Sequence, residues 1–195
     1  MVNLQSPVVI TEKRFCLDHP VTLILKEKIL TLSGDDFNIK DTNDVSYFKC
    51  KGKAFSFNDK KVLYDLNDEP ILNISHKVFS ASGKKTVYRG SNDTERLLSI
   101  VNENIFSKTK QTVTYKDLTT NKFETIEMKC DFFGFDCSIY KGRQKNGGPL
   151  LCRIHKKVDS KIFTSSENYV VEIQPNVDIA AMVALAIVFD EIKND

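Results

Sequence analysis

The sequence predicts a mostly-β protein: a closed antiparallel barrel of about twelve strands that encloses one apolar C-terminal α-helix. Short runs rich in β-branched and aromatic residues recur along most of the chain, separated by turn residues, as in sandwiches and barrels. Near the carboxyl end, residues 179–189 are apolar on every side, and such a helix must be surrounded by protein or by lipid. A barrel wrapped around that helix covers both the helix and the apolar faces of the strands.

The strands are placed by alternation and by turn chemistry. In 123–132, Ile126 and Met128 share one face while Glu127 and Lys129 share the other, which is the two-residue period of a sheet with one wet face. Clusters of Gly, Asn, Asp, Ser and Pro separate the runs and favour tight turns. The predicted strands are 21–30, 37–41, 46–57, 61–66, 70–79, 85–90, 96–102, 111–118, 123–132, 137–142, 150–157 and 168–174.

The C-terminal helix is predicted over about 178–192. Asp178 suits the N-cap position, where its carboxylate accepts hydrogen bonds from the first free backbone amides. At about 1.5 Å of rise per residue, the apolar stretch is much shorter than the hydrocarbon core of a bilayer, so we expect no transmembrane span. No repeat, linker or low-complexity tract divides the chain, and we expect 1–195 to form one domain.

Composition narrows the class of protein. A net charge of +2 is too small to indicate wholesale nucleic-acid binding. The first ten residues lack the basic and apolar regions of a signal peptide. An odd number of cysteines at irregular spacing predicts reduced, buried thiols and a cytoplasmic protein. The cysteines are Cys16, Cys50, Cys130, Cys137 and Cys152.

No catalytic or metal-binding pattern is present in the sequence. There is no Gly-x-Ser-x-Gly elbow, His-Glu-x-x-His pair, Walker loop or Cys-x-x-Cys spacing. His76 shares a face with apolar neighbours and fits a core histidine. Cys152 and His155 are an odd number of residues apart, so a strand directs them to opposite faces. We expect a non-enzymatic protein with no catalytic residue, metal or cofactor.

Two groups of basic residues are candidates for binding an anionic lipid. In 46–57, Lys49, Lys51 and Lys53 occupy one face, and alternate residues on a strand stand about 6.5–7 Å apart. Such a stripe could receive an inositol phosphate or an anionic membrane surface. The alternative, an ordinary solvated barrel exterior, stays open because exposed lysines are common. The second candidate cluster combines Lys141, Arg143 and Lys145 with Lys156 and Lys157 on the next strand.

Several sequence runs, in order over nearly the whole chain, resemble one family. They are residues 25–37 (LKEKILTLSGDDF), 48–52 (FKCKG), 60–65 (KKVLYD), 68–72 (DEPIL), 169–178 (YVVEIQPNVD), the apolar helix and 190–192 (DEI). Together they resemble the LURP-one-related family. The resemblance implies a twelve-stranded barrel around a central helix, which is shared with tubby C-terminal domains and phospholipid scramblases.

The resemblance also implies a class of function. Tubby-type domains bind phosphoinositides, and some plant members of the family are linked to defence, so it implies a lipid-binding module in signalling or in a stress- or defence-related role. A protein-interaction or regulatory domain without lipid binding is the alternative, with an unknown protein partner. A scramblase-like lipid transporter is a less favoured alternative, because the long Pro-rich, Cys-rich N-terminal region of scramblases has no counterpart here. We expect a cytoplasmic monomer that reaches the plasma membrane peripherally and binds no nucleic acid.

Overall fold

The described part of the chain forms a closed β-barrel with one helix. The computed structural model describes residues 4, 6–26, 37–52, 60–75, 84–104, 107–131, 136–157 and 168–194. Its twelve strands each pair antiparallel with their neighbours in sequence, and the first and last strands pair to close the barrel. The predicted fold class is therefore confirmed.

The elements follow one another as a meander. The strands are β1 (Val21–Lys26), β2 (Phe37–Asp41), β3 (Ser46–Gly52), β4 (Lys60–Tyr64), β5 (Pro70–Ser75), β6 (Lys85–Arg89), β7 (Arg96–Asn104), β8 (Ser107–Asp117), β9 (Lys122–Cys130), β10 (Asp136–Lys141), β11 (Leu150–Lys157) and β12 (Asn168–Ile173), and the helix is α1 (Ile179–Asn194). Single turns of 3-10 helix occupy Lys13–Phe15 and Gln144–Asn146.

The predicted strand bounds differ from the observed ones mainly at the ends. The predicted extensions 27–30, 53–57 and 76–79 lie outside the described residues. Strands β7 and β8 are longer than predicted, because their pairing continues to Asn104 and Ser107 through polar residues. Polar residues beyond the core show no apolar alternation, so that signal cannot mark where these two strands stop.

The helix α1 lies in the middle of the core. Residues from Ile179 to Phe189 are at most 3% exposed. They belong to the same cluster of buried residues as the inward side chains of the strands, such as Leu72, Ile154 and Val171. Among the described residues, no helix is both long enough and apolar enough to cross a bilayer.

The barrel has two distinct ends, because antiparallel strands alternate in direction. The even-numbered strands all end where α1 begins, and we call this the start end. The rim of the start end is formed by the turns at 42–45, 65–69, 90–95, 118–121 and 142–149. An N-terminal segment packs at the N-terminus of α1, since Val8 forms a β-bridge with Val177.

Asp178 holds that N-terminal segment to the helix. Its carboxylate accepts hydrogen bonds from the backbone amides of Ile10 and Thr11 at 3.0 and 2.6 Å and from the Thr11 hydroxyl. It also accepts one from the Ala181 amide at 3.1 Å, as a helix N-cap does. Burial raises the pKa of this carboxyl group, so the hydrogen bonds are needed to compensate for removing it from water.

Candidate functional site

Lys49 and Lys51, two members of the first predicted basic group, lie on the outer wall of the barrel and converge on one carboxylate. Lys49 and Lys51 project from β3 on the same face, and Asp68 lies in the turn after β4. The Lys49 ammonium is 3.1 Å from Asp68 Oδ2, and the Lys51 ammonium is 3.3 Å from Asp68 Oδ1. Lys49 also donates a hydrogen bond to the Leu66 carbonyl at 3.1 Å, and Lys51 lies 4.8 Å from the centre of the Tyr64 ring. We call Lys49, Lys51 and Asp68 the two-lysine site.

Electrostatics at the two-lysine site follow from this geometry. Hydrogen bonds from Lys49 and Lys51 lower the pKa of Asp68, which is therefore ionised at neutral pH. The Asp68 side chain is 56% exposed, and solvent screens an exposed ion pair so that it contributes little to stability. The site is thus an anion position that is already occupied, but weakly. Lys53, the third member of the predicted stripe, lies outside the described residues.

The second predicted cluster does not assemble. Lys141, Arg143 and Lys145 lie at the end of β10 and in the turn after it, at the start end. Lys156 and Lys157 lie at the far end of β11. Because the opposite partner of Tyr140 is Leu150, the two halves are separated by about 20 Å along the strand. The prediction that these residues form one cluster is therefore corrected.

The turn that carries Arg143 is folded back onto the outer wall. A Cβ at Gly148 would collide with the carbonyl oxygens of Lys141 and Arg143, so this tight return requires glycine. Arg143 forms an ion pair with Glu103 of β7 at 3.2 Å. Part of the positive charge in this half of the cluster is therefore neutralised by the barrel itself.

Lys156 belongs to the barrel interior at the end opposite the start end. Its ammonium is 5.9 Å from the centre of the Tyr169 ring, and the buried Tyr169 hydroxyl donates a hydrogen bond to Asp190 of α1 at 2.8 Å. Alternation along β11 places Lys156 on the inner face with Ile154, so the sequence itself carries the signal for this position.

The end of α1 also carries an ion cluster that sequence reasoning missed. Glu191 is buried and lies 3.1 Å from the Lys61 ammonium and 3.7 Å from the Lys85 ammonium. Lys61 is the second residue of β4 and Lys85 is the first of β6. They share the inner face with Leu63 and Val87, a parity that is visible in the sequence. These cations near the helix C-terminus favourably oppose its dipole, so the cluster anchors the helix inside the barrel.

The cysteines differ from the prediction in one pair. Cys130 and Cys137 stand directly opposite each other on β9 and β10 and form a disulfide, so the prediction of five reduced thiols is wrong for these two. Spacing along the chain does not reveal a pairing that cross-strand register creates. Within the part of the chain that the structure describes, Cys16, Cys50 and Cys152 form no disulfide, and burial raises the pKa of Cys16 to about 12, which keeps its thiol protonated and weakly nucleophilic. The odd cysteine count therefore no longer argues for a reducing compartment.

The predicted histidine roles have mixed outcomes. His76 lies outside the described residues. His155 stands opposite Asp136 in β10, while Cys152 is fully buried on the other face of β11, as the odd spacing predicted. Among the described residues, no group of three or more histidine, cysteine or acidic side chains could hold a metal ion.

Comparison with known proteins identifies relatives over nearly the whole chain. Protein LURP-one-related 10 from Arabidopsis thaliana is 31% identical over 195 residues, which cover 95% of this chain and 97% of that protein. Protein LURP-one-related 15 from the same plant is 26% identical, covering 98% of this chain and 88% of the relative. An X-ray structure of a protein from Arabidopsis thaliana, 22% identical, has a TM-score of 0.68 and covers 95% of this chain and 98% of that one, which shows the same fold.

A family profile agrees with these relatives. The profile described as LURP-one-related matches residues 21–190, from the first strand of the barrel into the last turns of the enclosed helix. The match covers more than half of the chain, and the relative at 31% identity spans nearly all of it. This chain therefore belongs to the LURP-one-related family.

Proposed function

We propose that this domain is a non-enzymatic module that binds phosphoinositides or an anionic membrane surface, peripherally at the cytoplasmic face of the plasma membrane. The shared chemistry of these ligands is a phosphate group at a bilayer surface. The observation that carries the proposal is the convergence of the Lys49 and Lys51 ammonium groups on one anion position. A role in signalling or in a stress- or defence-related process is part of the same proposal.

An incoming phosphate can replace Asp68 at that position. A phosphate monoester carries a charge of about −1.5 to −2 at neutral pH and three acceptor oxygens, whereas Asp68 offers a single negative charge. Because the exposed ion pairs of Asp68 are weak, moving this turn side chain aside costs little. The side chain of Tyr64 and the carbonyl of Leu66 already orient the two lysines, so less side-chain entropy is lost on binding.

The test compares a double variant with a matched control on vesicles. Lys49→Ala/Lys51→Ala should weaken co-sedimentation with phosphoinositide-containing vesicles about tenfold or more, since each lysine near an anionic surface contributes about 1 kcal/mol. The control is Lys110→Ala/Lys129→Ala, which removes two exposed lysines that stand opposite each other on β8 and β9. The control should change binding less than the first pair does.

Further arms separate the possible sources of the phosphate. Vesicles with phosphatidylserine at equal total charge test the anionic surface alone, and a soluble inositol phosphate competitor tests the headgroup. Equal loss in both double variants would remove the two-lysine site from the proposal. No binding of the wild-type protein to any anionic vesicle in low salt would refute the proposal itself and favour the protein-interaction alternative.

A further inference from the structure

The hairpin that joins β8 to β9 presents apolar side chains to solvent at the start end. Phe123 is 73% exposed and Leu118 is 45% exposed. Phe123 faces the outside of the barrel, because Ile126 and Met128, at odd spacing from it on the same strand, point inward. Single exposed apolar residues are common on protein surfaces, so the charges around these two decide what the hairpin can bind.

The exposed charged side chains next to these apolar residues on the hairpin are positive. Lys116 stands directly opposite Phe123 across the two strands, and Lys122 precedes it. Both lysines are exposed, and neither forms an ion pair with any residue that the structure describes. They differ in this respect from Lys49 and Lys51, whose charges are partly balanced by Asp68.

The acidic residues of the hairpin offset these cations little at its outer surface. Glu124 is half-buried and points to the face opposite Phe123. Asp117 is 1% exposed, and its carboxylate accepts hydrogen bonds from the Thr119 and Thr120 amides at 2.7 and 3.3 Å. The turn is therefore held in shape by Asp117, while its outer surface presents apolar, basic and uncharged side chains.

The hairpin also lies at the same end of the barrel as the two-lysine site. Strands β4 and β8 both end at the start end, so the turn with Asp68 and the turn with Leu118 belong to one rim. The two turns lie on different sides of that rim, because β5, β6 and β7 come between β4 and β8. The two turns therefore share one end of the barrel without being adjacent.

We propose that the β8–β9 hairpin is a membrane-inserting tip, in which Phe123 and Leu118 enter an anionic bilayer while Lys116 and Lys122 contact its headgroups. The exposed Phe123 and Leu118 can be buried in the apolar part of a bilayer interface, and the flanking cations match an anionic headgroup layer. This inference rests on the proposed membrane function for its class of partner, but it uses different residues. It places the outer surface of the β8–β9 hairpin against the membrane.

A single-tryptophan reporter tests insertion directly, because the sequence contains no tryptophan. In Phe123→Trp, the emission should shift to shorter wavelength when phosphatidylserine vesicles are added, and lipids with brominated acyl chains should quench it. In the control Val101→Trp, placed on the outer wall of β7 at a site 39% exposed, neither change should occur. Phe123→Ser should reduce vesicle binding about tenfold, in keeping with the loss of one buried aromatic side chain.

The outcomes separate this inference from the proposed function. If the Phe123→Trp variant co-sediments with vesicles but its fluorescence is not quenched by brominated lipid, insertion is refuted and the two-lysine site is left intact. Equal quenching in the Val101→Trp and Phe123→Trp variants would also refute it, since the wall would then approach the lipid as closely as the tip. Absence of any vesicle binding by the wild-type chain would refute both, and unchanged melting temperatures confirm that the variants are folded.

Discussion

Leu185→Ala measures how completely the barrel encloses α1. Leu185 is 0% exposed in the middle of the helix, and the substitution removes three carbon atoms from its side chain. At about 0.8 kcal/mol per buried methylene, the lost transfer free energy is about 2.4 kcal/mol. A cavity adds to this cost when the surroundings cannot collapse. Because a closed ring of hydrogen-bonded strands surrounds the helix, we expect little relaxation and a total loss of about 3–5 kcal/mol in the free energy of unfolding.

Urea denaturation followed by circular dichroism measures this loss, with Leu66→Ala as the matched control. Leu66 is 49% exposed in a turn at the start end, so the same chemical change should cost less than about 1 kcal/mol there. The comparison requires similar slopes of free energy against urea in both variants. Equal costs for the two leucines would refute the conclusion that the helix is surrounded by the strands.

The remaining predictions concern buried charge, the helix cap and acid stability. Ala184→Asp should unfold the domain or leave it insoluble, because Ala184 is 0% exposed and an unpaired buried charge is strongly destabilising; Val101→Asp on the outer wall should melt normally. Asp178→Ala should lower the free energy of unfolding by about 3–5 kcal/mol, since it leaves the Ile10, Thr11 and Ala181 amides without their acceptor. Burial opposes ionisation of Asp65, but hydrogen bonds from the Glu69 and Asn67 amides and the Arg14 guanidinium outweigh it and lower the pKa. The contribution of ionised Asp65 to the free energy of unfolding is thus fully present above about pH 4 and is lost as the pH falls through the lowered pKa. Asp65→Asn should therefore flatten that part of a plot of the free energy of unfolding against pH.

Much of the fold could be predicted because its signals are local. The two-residue alternation around Met128 and the all-apolar run through Leu185 each report burial directly in the sequence. The helix N-cap at Asp178 was recognisable for the same reason. What the sequence could not supply was the partner of that carboxylate, since Thr11 lies 167 residues away along the chain.

The candidate sites were harder to predict because they depend on pairs of side chains. Alternation predicts Lys49 and Lys51 on one face, but their neutralising partner Asp68 comes from a turn that lies 19 residues after Lys49 and 17 after Lys51. The sequence prediction includes Lys156 among the surface cations, although its parity points inward, toward Tyr169. Spacing along one strand predicts a face, whereas the charge that a face presents depends on its cross-strand neighbours.

Asp68→Asn on phosphoinositide vesicles tests most directly whether the two-lysine site receives an anion. Asp68 has a positive φ of 64°, a conformation that asparagine also adopts readily, so the turn should keep its shape. Removing the resident negative charge should tighten vesicle binding about fivefold at low salt, in line with one surface charge. An unchanged or weaker dissociation constant, measured with folded protein at the same ionic strength, would contradict the proposal that Lys49 and Lys51 form a site for phosphate.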